Sequence, residues 1–120
     1  MNFAGAGSQA LAWLHSVGGS SNTILEATDR YTPASLIEAL GFTPERFTSV
    51  DVARELALKG LLRARVLEPK EPHVFGVGCT ATIATNRGKR GEHRCVVAVA
   101  SVLGTATYEL TLSKGIRKRE

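Results

Sequence analysis

The sequence has few aromatic residues, only two cysteines and no long apolar run. Aromatic residues make up 6% of its 120 positions and do not alternate with the basic ones, which disfavours a nucleic-acid partner. Two cysteines form no disulfide framework, and four spaced Cys or His ligands for zinc are missing. No segment approaches the ~18 apolar residues of a membrane helix, and the N-terminus lacks a basic signal region. We therefore expect a cytoplasmic protein with free thiols, no metal, no cofactor and no membrane partner.

Charge is modest overall but unevenly distributed. The net charge is +4, with 43% hydrophobic and 22% charged residues, which is ordinary for one soluble domain. The basic residues concentrate in a loop and a tail: Arg87, Lys89, Arg90 and Arg94; Lys114, Arg117, Lys118 and Arg119. Such clusters attract phosphate groups.

Local signals predict helices in the first half of the chain and strands in the second. The predicted helices cover residues 8–17, 33–40 after the Thr32-Pro33 start signal, and 49–65. The last of these should bury Val52, Leu56, Leu61, Leu62 and the stem of Lys59. The predicted strands are 74–77, 94–102, whose continuous apolar run predicts burial on both faces, and the half-buried 105–112. A hairpin turn at Leu103-Gly104 joins the last two.

This order predicts the fold class. We expect one α/β domain of the three-layer type over residues 1–120, a small mixed sheet with helices packed on it and a C-terminal antiparallel hairpin. Both ends are abrupt, which predicts either a minimal domain or a piece of a longer protein.

Two glycine- and serine-rich turns are candidates for anion binding. Gly5, Gly7 and Ser8 open a predicted helix whose free N–H groups attract anions, but the G-x-G-x-x-G pattern and the P-loop lysine are absent. Ser20 and Ser21 offer hydroxyls, or serve only as a helix cap.

The second group of candidates is catalytic. Tyr31 is either a buried general acid, a stacking wall or a core residue. Cys79 and Thr80 follow a predicted strand, where ligands bind in open α/β sheets, and His93 could act as base to a Cys79 nucleophile. The alternative is that Cys79 and Cys95 are small buried hydrophobes, which suits Cys95 best.

The glycine-containing segment 87–94 is either a solvated loop or a phosphate clamp. Its basic residues cannot be buried unpaired. As a clamp, Arg87, Lys89, Arg90 and Arg94 would close over a nucleotide, with His93 beside them.

Three segments in order resemble the CinA C-terminal domain family. They are SVGGSSNTILEATDRYTPASL, SVDVARELALKGLLRA and GVGCTATIATNRGKRGEHRCVVAV, and together with the residues between them they cover most of the chain. The family includes bacterial nicotinamide-nucleotide amidases, which hydrolyse the carboxamide of nicotinamide mononucleotide and release ammonia. The resemblance implies a small-molecule nucleotide ligand and a homodimer.

The family's catalytic groups carry over only in part. The serine proposed as nucleophile aligns at about Ala4, and the lysine of the family's Y-S-N-E-A-K segment aligns at Leu36. Tyr31 and Thr80 are retained, but the glycines and proline of the T-G-x-A-G-P loop are not. Because such groups act as a unit, the chain should have lost amidase activity.

Three hypotheses follow. The preferred one is a CinA-like pseudoenzyme that binds a nucleotide-like phosphate ligand. The second is an amidohydrolase that uses Cys79 or Ser8 as a substitute nucleophile, with Thr80 and Tyr31 assisting. The third is a dimerisation or accessory domain of a longer protein.

Overall fold

A computed structural model describes residues 1–4, 12, 15–19, 23–81 and 93–112. Within them the chain forms an α/β domain with five strands and two helices. The strands are β1 (Asn2–Ala4), β2 (Thr28–Asp29), β3 (Gly76–Ala81), β4 (His93–Ser101) and β5 (Gly104–Leu112), and the helices are α1 (Pro33–Leu40) and α2 (Val50–Leu67). Of the predicted first helix, Ala12 and residues 15–17 are described, and Ser16 N donates to the Ala12 carbonyl.

The sheet is mixed, in the order β2-β1-β3-β4-β5. Strand β1 runs parallel to both β2 and β3, while β4 is antiparallel to both β3 and β5. The predicted α/β class, mixed sheet and C-terminal hairpin are therefore confirmed. The sequence missed β1, and it placed the hairpin turn one residue late, since Val102 and Leu103 form the turn and Gly104 begins β5.

Helix α1 begins and ends where local chemistry predicts, whereas α2 begins one residue after its predicted start and ends two residues beyond its predicted end. The Thr32 side chain accepts from Ser35 N at 3.2 Å, Pro33 occupies the first turn, and Gly41 ends α1 at φ +83°. The Ser49 hydroxyl accepts from Val52 N at 3.2 Å and caps α2.

Helix α2 buries small residues against the sheet. Its buried positions are Val52, Ala53, Leu56, Ala57, Gly60 and Ala64. Lys59 and Leu62 are exposed, which corrects the predicted face. Ala53 and Ala57 pack with alternate residues of β4, namely Val96, Ala98 and Ala100, to form one core cluster.

Burial of the last strands also differs from the prediction. Strand β4 is buried on the side facing α2, but Cys95, Val97 and Val99 on its other side are only half-buried. Residues 104–109 of β5 are exposed rather than half-buried. None of the described helices has the length and apolar character needed to cross a membrane.

Candidate functional site

A crevice lies at the carboxyl ends of β1 and β3. Strand β1 has two neighbours in the sheet: β2, to which the chain crosses first, and β3 on the opposite edge of β1. The strand order therefore reverses between β1 and β3. In open α/β sheets, ligands bind outside the carboxyl ends of the strands at such a switch point. The last residues of the two strands, Ala4 and Thr80-Ala81, form the floor of the crevice.

The N-terminus of α1 and the segment before α2 form the crevice walls. The described lining residues are Ala4, Arg30, Tyr31, Thr32, Pro33, Leu36, Phe47, Thr48, Thr80 and Ala81, around about 130 Å³. That volume holds about four water molecules, so it fits a phosphate or carboxylate group rather than a whole drug-sized ligand.

The Thr80 hydroxyl is the most informative atom of the crevice. Thr80 is 1% exposed, and its Oγ1 has no hydrogen-bond partner within the described structure. A buried unpaired hydroxyl costs about 1–3 kcal/mol, and native proteins rarely leave one without a reason. A ligand oxygen in the crevice would supply the missing partner.

The electrostatics of the crevice favour an anion. Arg30 is the charged residue among the described lining residues, and no carboxylate is among them. Arg30 also lines a second, larger cavity at the other end of β1 and β3, where Arg63 and, more weakly, the charge of Arg30 lower the pKa of Glu26. The Arg30 Nε donates to Asn2 Oδ1 at 3.4 Å, and Asn2 Nδ2 donates to the Leu56 carbonyl at 3.2 Å. Buried Asn2 thus connects Arg30 to α2, and the N-terminus of α1 adds a partial positive charge.

The structure brings together two of the three predicted catalytic residues. Tyr31 and Thr80 both line the crevice, although they are far apart in the sequence. Two of the three interpretations of Tyr31, a buried general acid and a core residue, are wrong, because its exposed fraction is 81%. Tyr31 lies in the segment between β2 and α1 rather than inside either element, and the stacking wall stays a prediction. At the crevice rim it can contact a ligand but cannot act as a buried acid.

Cys79 has the wrong environment for a nucleophile. It is buried within β3, between Gly78 and Thr80, and so it projects to the opposite face of the sheet from Thr80. Burial, together with nearby Cys95, raises the pKa of the Cys79 thiol to about 12. Burial fits the alternative of a small buried hydrophobe for Cys79, whereas Cys95, for which burial was the preferred interpretation, is only half-buried.

We expect Cys79 to resist alkylation in the folded protein. Its thiolate fraction near pH 8 should be about a thousandfold below that of an ordinary cysteine, so mass spectrometry should find iodoacetamide mainly on Cys95. In urea both should react equally. Because the folded pKa exceeds the ordinary 9.0, the contribution of the neutral thiol to stability is complete below pH 9 and is lost as the pH rises toward 12. Rapid labelling of Cys79 in the native protein would contradict this environment.

Arg94 makes contacts within the protein. Its guanidinium pairs with Glu109 on β5 and donates to the Thr48 carbonyl at 3.5 Å. The side chain is 18% exposed, and these contacts link the β4–β5 hairpin to the segment that lines the crevice. The geometry therefore favours a positioning role for Arg94 over the predicted clamp.

The other predicted ligand-binding residues lie outside the described part of the chain. They are Gly5, Gly7, Ser8, Ser20, Ser21, Arg87, Lys89 and Arg90. For His93 the structure describes the backbone, which pairs with Leu112 in the hairpin. Of these residues, Gly5 directly follows Ala4 in the chain.

The described residues contain no group of three or more His, Cys, Asp or Glu side chains suited to a metal.

Arg30, which stands beside Tyr31 directly after β2, was not predicted from the sequence. Neither was the larger cavity, of about 1060 Å³, at the other end of β1 and β3, which Arg30 also lines. There Arg63 Nε pairs with Glu26 Oε1 at 3.0 Å, and no buried side-chain atom among its described lining residues lacks a partner. The smaller crevice is therefore the better candidate.

Comparisons of this chain with protein-family models, curated proteins and solved structures find no match.

Proposed function

We propose that this chain is a CinA-like domain that binds a nucleotide-like phosphate ligand in the crevice between β1 and β3 and has lost amidase chemistry. The unpartnered, buried Thr80 hydroxyl carries this proposal. Arg30 and the N-terminus of α1 support an anionic group at the same place, and Tyr31 at the rim could contact the rest of the ligand.

The loss of chemistry is supported by Ala4 and Leu36. These positions align with the family's nucleophilic serine and lysine, and both line the crevice and pack in one hydrophobic cluster. Their exposed fractions are 8% and 3%. The alignment requires these two positions to lie close together. The methyl group of Ala4 and the isobutyl group of Leu36 can neither attack a carbonyl nor transfer a proton.

Calorimetric titration tests the binding. We expect mononucleotides, including nicotinamide mononucleotide, to bind, and Arg30→Ala to weaken them roughly tenfold because a charge-assisted hydrogen bond is lost. Arg54→Ala removes an exposed arginine of α2 outside the crevice and should leave the affinity unchanged. Equal affinities for both variants, or no binding to the wild type, would refute the crevice site. Because Arg30 also lines the larger cavity and Thr80 does not, a Thr80→Val variant decides which of the two cavities holds the ligand.

The same samples should release no ammonia from nicotinamide mononucleotide above the buffer rate. Release would instead support the amidohydrolase hypothesis. The resemblance also predicts a homodimer, which belongs to the accessory-domain hypothesis and does not depend on the crevice.

A further inference from the structure

The two cysteines lie on neighbouring strands and on the same face of the sheet. Strands β3 and β4 pair with Cys79 opposite Val97 and with Ala81 opposite Cys95. Because residues two apart on a strand share a face, Cys79 and Cys95 are diagonal neighbours across this strand pair. Both are free thiols.

The strand register brings these two thiols together. Ser101 and Gly104 close the β4–β5 hairpin around a two-residue turn, so alternate residues from Val99 to Cys95 direct their backbone groups toward β5. Their pairs with β3 therefore exchange no hydrogen bonds, which is the arrangement with the closer side chains. In agreement, burial, the charge of Cys95 and a hydrogen bond with the Cys95 thiol together raise the pKa of Cys79.

The two thiols differ in their access to solvent. Cys95 is half-buried, whereas Cys79 is only 7% exposed. An oxidant in solution therefore reaches the Cys95 sulfur first, and burial protects Cys79 from direct attack. An accessible thiol beside a second thiol is the arrangement found at cysteines that oxidise reversibly, because the second thiol removes the oxidised form of the first.

We propose that Cys95 is a site of reversible oxidation by hydroperoxides and that Cys79 completes the reaction by forming a disulfide with it. The deprotonated Cys95 sulfur attacks one peroxide oxygen, the O–O bond breaks, and the other oxygen leaves as water or an alcohol. The sulfur is thereby oxidised to a sulfenic acid and the peroxide is reduced. The Cys79 sulfur then attacks the Cys95 sulfur, the S–O bond breaks, and the hydroxide leaves as water with the Cys79 proton.

The raised pKa of Cys79 slows the second step without preventing it. Few Cys79 thiols are deprotonated at neutral pH, but the contact with Cys95 makes the step intramolecular, which raises its rate. Neither cysteine lines the crevice, so this inference is independent of the proposed ligand.

The diagonal position makes the disulfide easy to reduce again. Diagonal neighbours have Cα atoms about 7–8 Å apart, whereas those of a relaxed disulfide are about 5.5–6 Å apart. The two strands must therefore shift locally to form the bond, and disulfides that distort their surroundings are the more readily reduced ones. Oxidation at this position is thus reversible by an ordinary dithiol.

Peptide mass spectrometry tests the disulfide directly. The folded protein is treated with hydrogen peroxide at neutral pH, blocked with N-ethylmaleimide and digested without a reductant. We expect the wild type to yield a peptide pair that links Cys79 to Cys95 with the loss of two hydrogen atoms, and dithiothreitol to separate the pair. The linked fraction should not depend on protein concentration, because the bond forms within one chain.

Variants separate the roles of the two thiols. Cys79→Ala should leave Cys95 as a sulfenic acid, so dimedone should label Cys95 at least about tenfold more than in the wild type. Cys95→Ala should leave Cys79 reduced. The control combines Cys95→Ala with Thr107→Cys, which places the second thiol on an exposed residue of the other sheet face, two strands from Cys79. It should form no link, since the two thiols cannot meet in the folded protein.

Several results would overturn the inference. They are a wild type that stays reduced, one whose Cys95 accumulates as an unlinked sulfenic or sulfinic acid, and a link that joins two chains. Equal linking in the Thr107→Cys control would also overturn it, because the link would then form in unfolded chains. If Cys79→Ala loses its native circular dichroism, the wild type and this control still decide the outcome. These readouts are peptide masses, so they fail separately from the calorimetric titration.

Discussion

Replacing Gly78 with alanine should lower the free energy of unfolding by more than about 3 kcal/mol. Gly78 lies on β3 where α2 crosses it, and an added Cβ would lie 2.6 Å from Ala57 N, 2.8 Å from Leu56 Cβ and closer still to the Ala53 carbonyl oxygen. Two of these are backbone atoms of a helix, which cannot rotate aside. The helix as a whole would have to move off the sheet.

The expected loss of folding stability is large because α2 packs on the sheet through small residues on both sides of the contact. An added Cβ at Gly76 would clash with the backbone of Ala57 and Leu61 in the same way. An added Cβ at Gly60 would lie 3.3 Å from the Gly76 Cα. Overpacking in cores typically costs about 1–3 kcal/mol, and a backbone obstacle should exceed that range. A loss above about 3 kcal/mol would remove much of a typical stability of about 5–15 kcal/mol.

Urea unfolding followed by circular dichroism measures this effect. Gly18→Ala is the matched control, since an added Cβ there meets nothing within 4 Å. It should change the free energy of unfolding by no more than about 0.5 kcal/mol. If Gly78→Ala were equally mild, the close approach of α2 to β3 would be wrong.

Replacing Thr80 with valine should stabilise the ligand-free protein and weaken ligand binding. Valine has nearly the same shape as threonine, so it removes the unpartnered hydroxyl without leaving a cavity. Relief of the unpaired buried group should raise the free energy of unfolding by about 1 kcal/mol in phosphate-free buffer. The same change removes the partner proposed for the ligand, and the affinity for mononucleotides should fall at least about tenfold.

The opposite signs of these two effects make the result specific. If the hydroxyl had a purely structural partner, the variant would be less stable. If the hydroxyl is kept for a ligand, the variant is more stable and binds the ligand more weakly. Thr105→Val, on the exposed part of β5, is the control and should change neither quantity by much. A more stable Thr80→Val protein with wild-type affinity would rule out Thr80 as a ligand contact.

Helix α2 illustrates why a pattern can predict an element yet misplace its buried face. The extent of the helix was predictable, but Leu62 is 62% exposed while Ala53 and Ala57 are fully buried. Hydrophobic periodicity favours large apolar side chains, whereas close packing on a sheet requires small ones. Gly76 and Gly78 allow the close approach of the helix to the sheet. Their role can be recognised only once it is known that α2 packs on β3.

The candidate site, too, could be predicted from the sequence only in part. Thr80 and Tyr31 were singled out from the sequence, partly through the resemblance, and both line the crevice. Arg30 and the missing partner of Thr80 Oγ1 were not foreseeable. A missing hydrogen bond depends on every neighbour of an atom, and no local pattern records those neighbours.

The amino-acid sequence alone was enough to predict the local features of this protein. The start of α1 after Thr32, its end at Leu40 and the pairing of β4 with β5, although not the exact turn between them, depend on hydrogen bonds and dihedral angles within a few residues. The assembled fold was needed to establish that the three-residue strand β1 exists, that Tyr31 is exposed and that Ala4, Leu36 and Thr80 meet. Those outcomes depend on contacts between segments tens of residues apart, whose free energies arise only when the sheet is assembled.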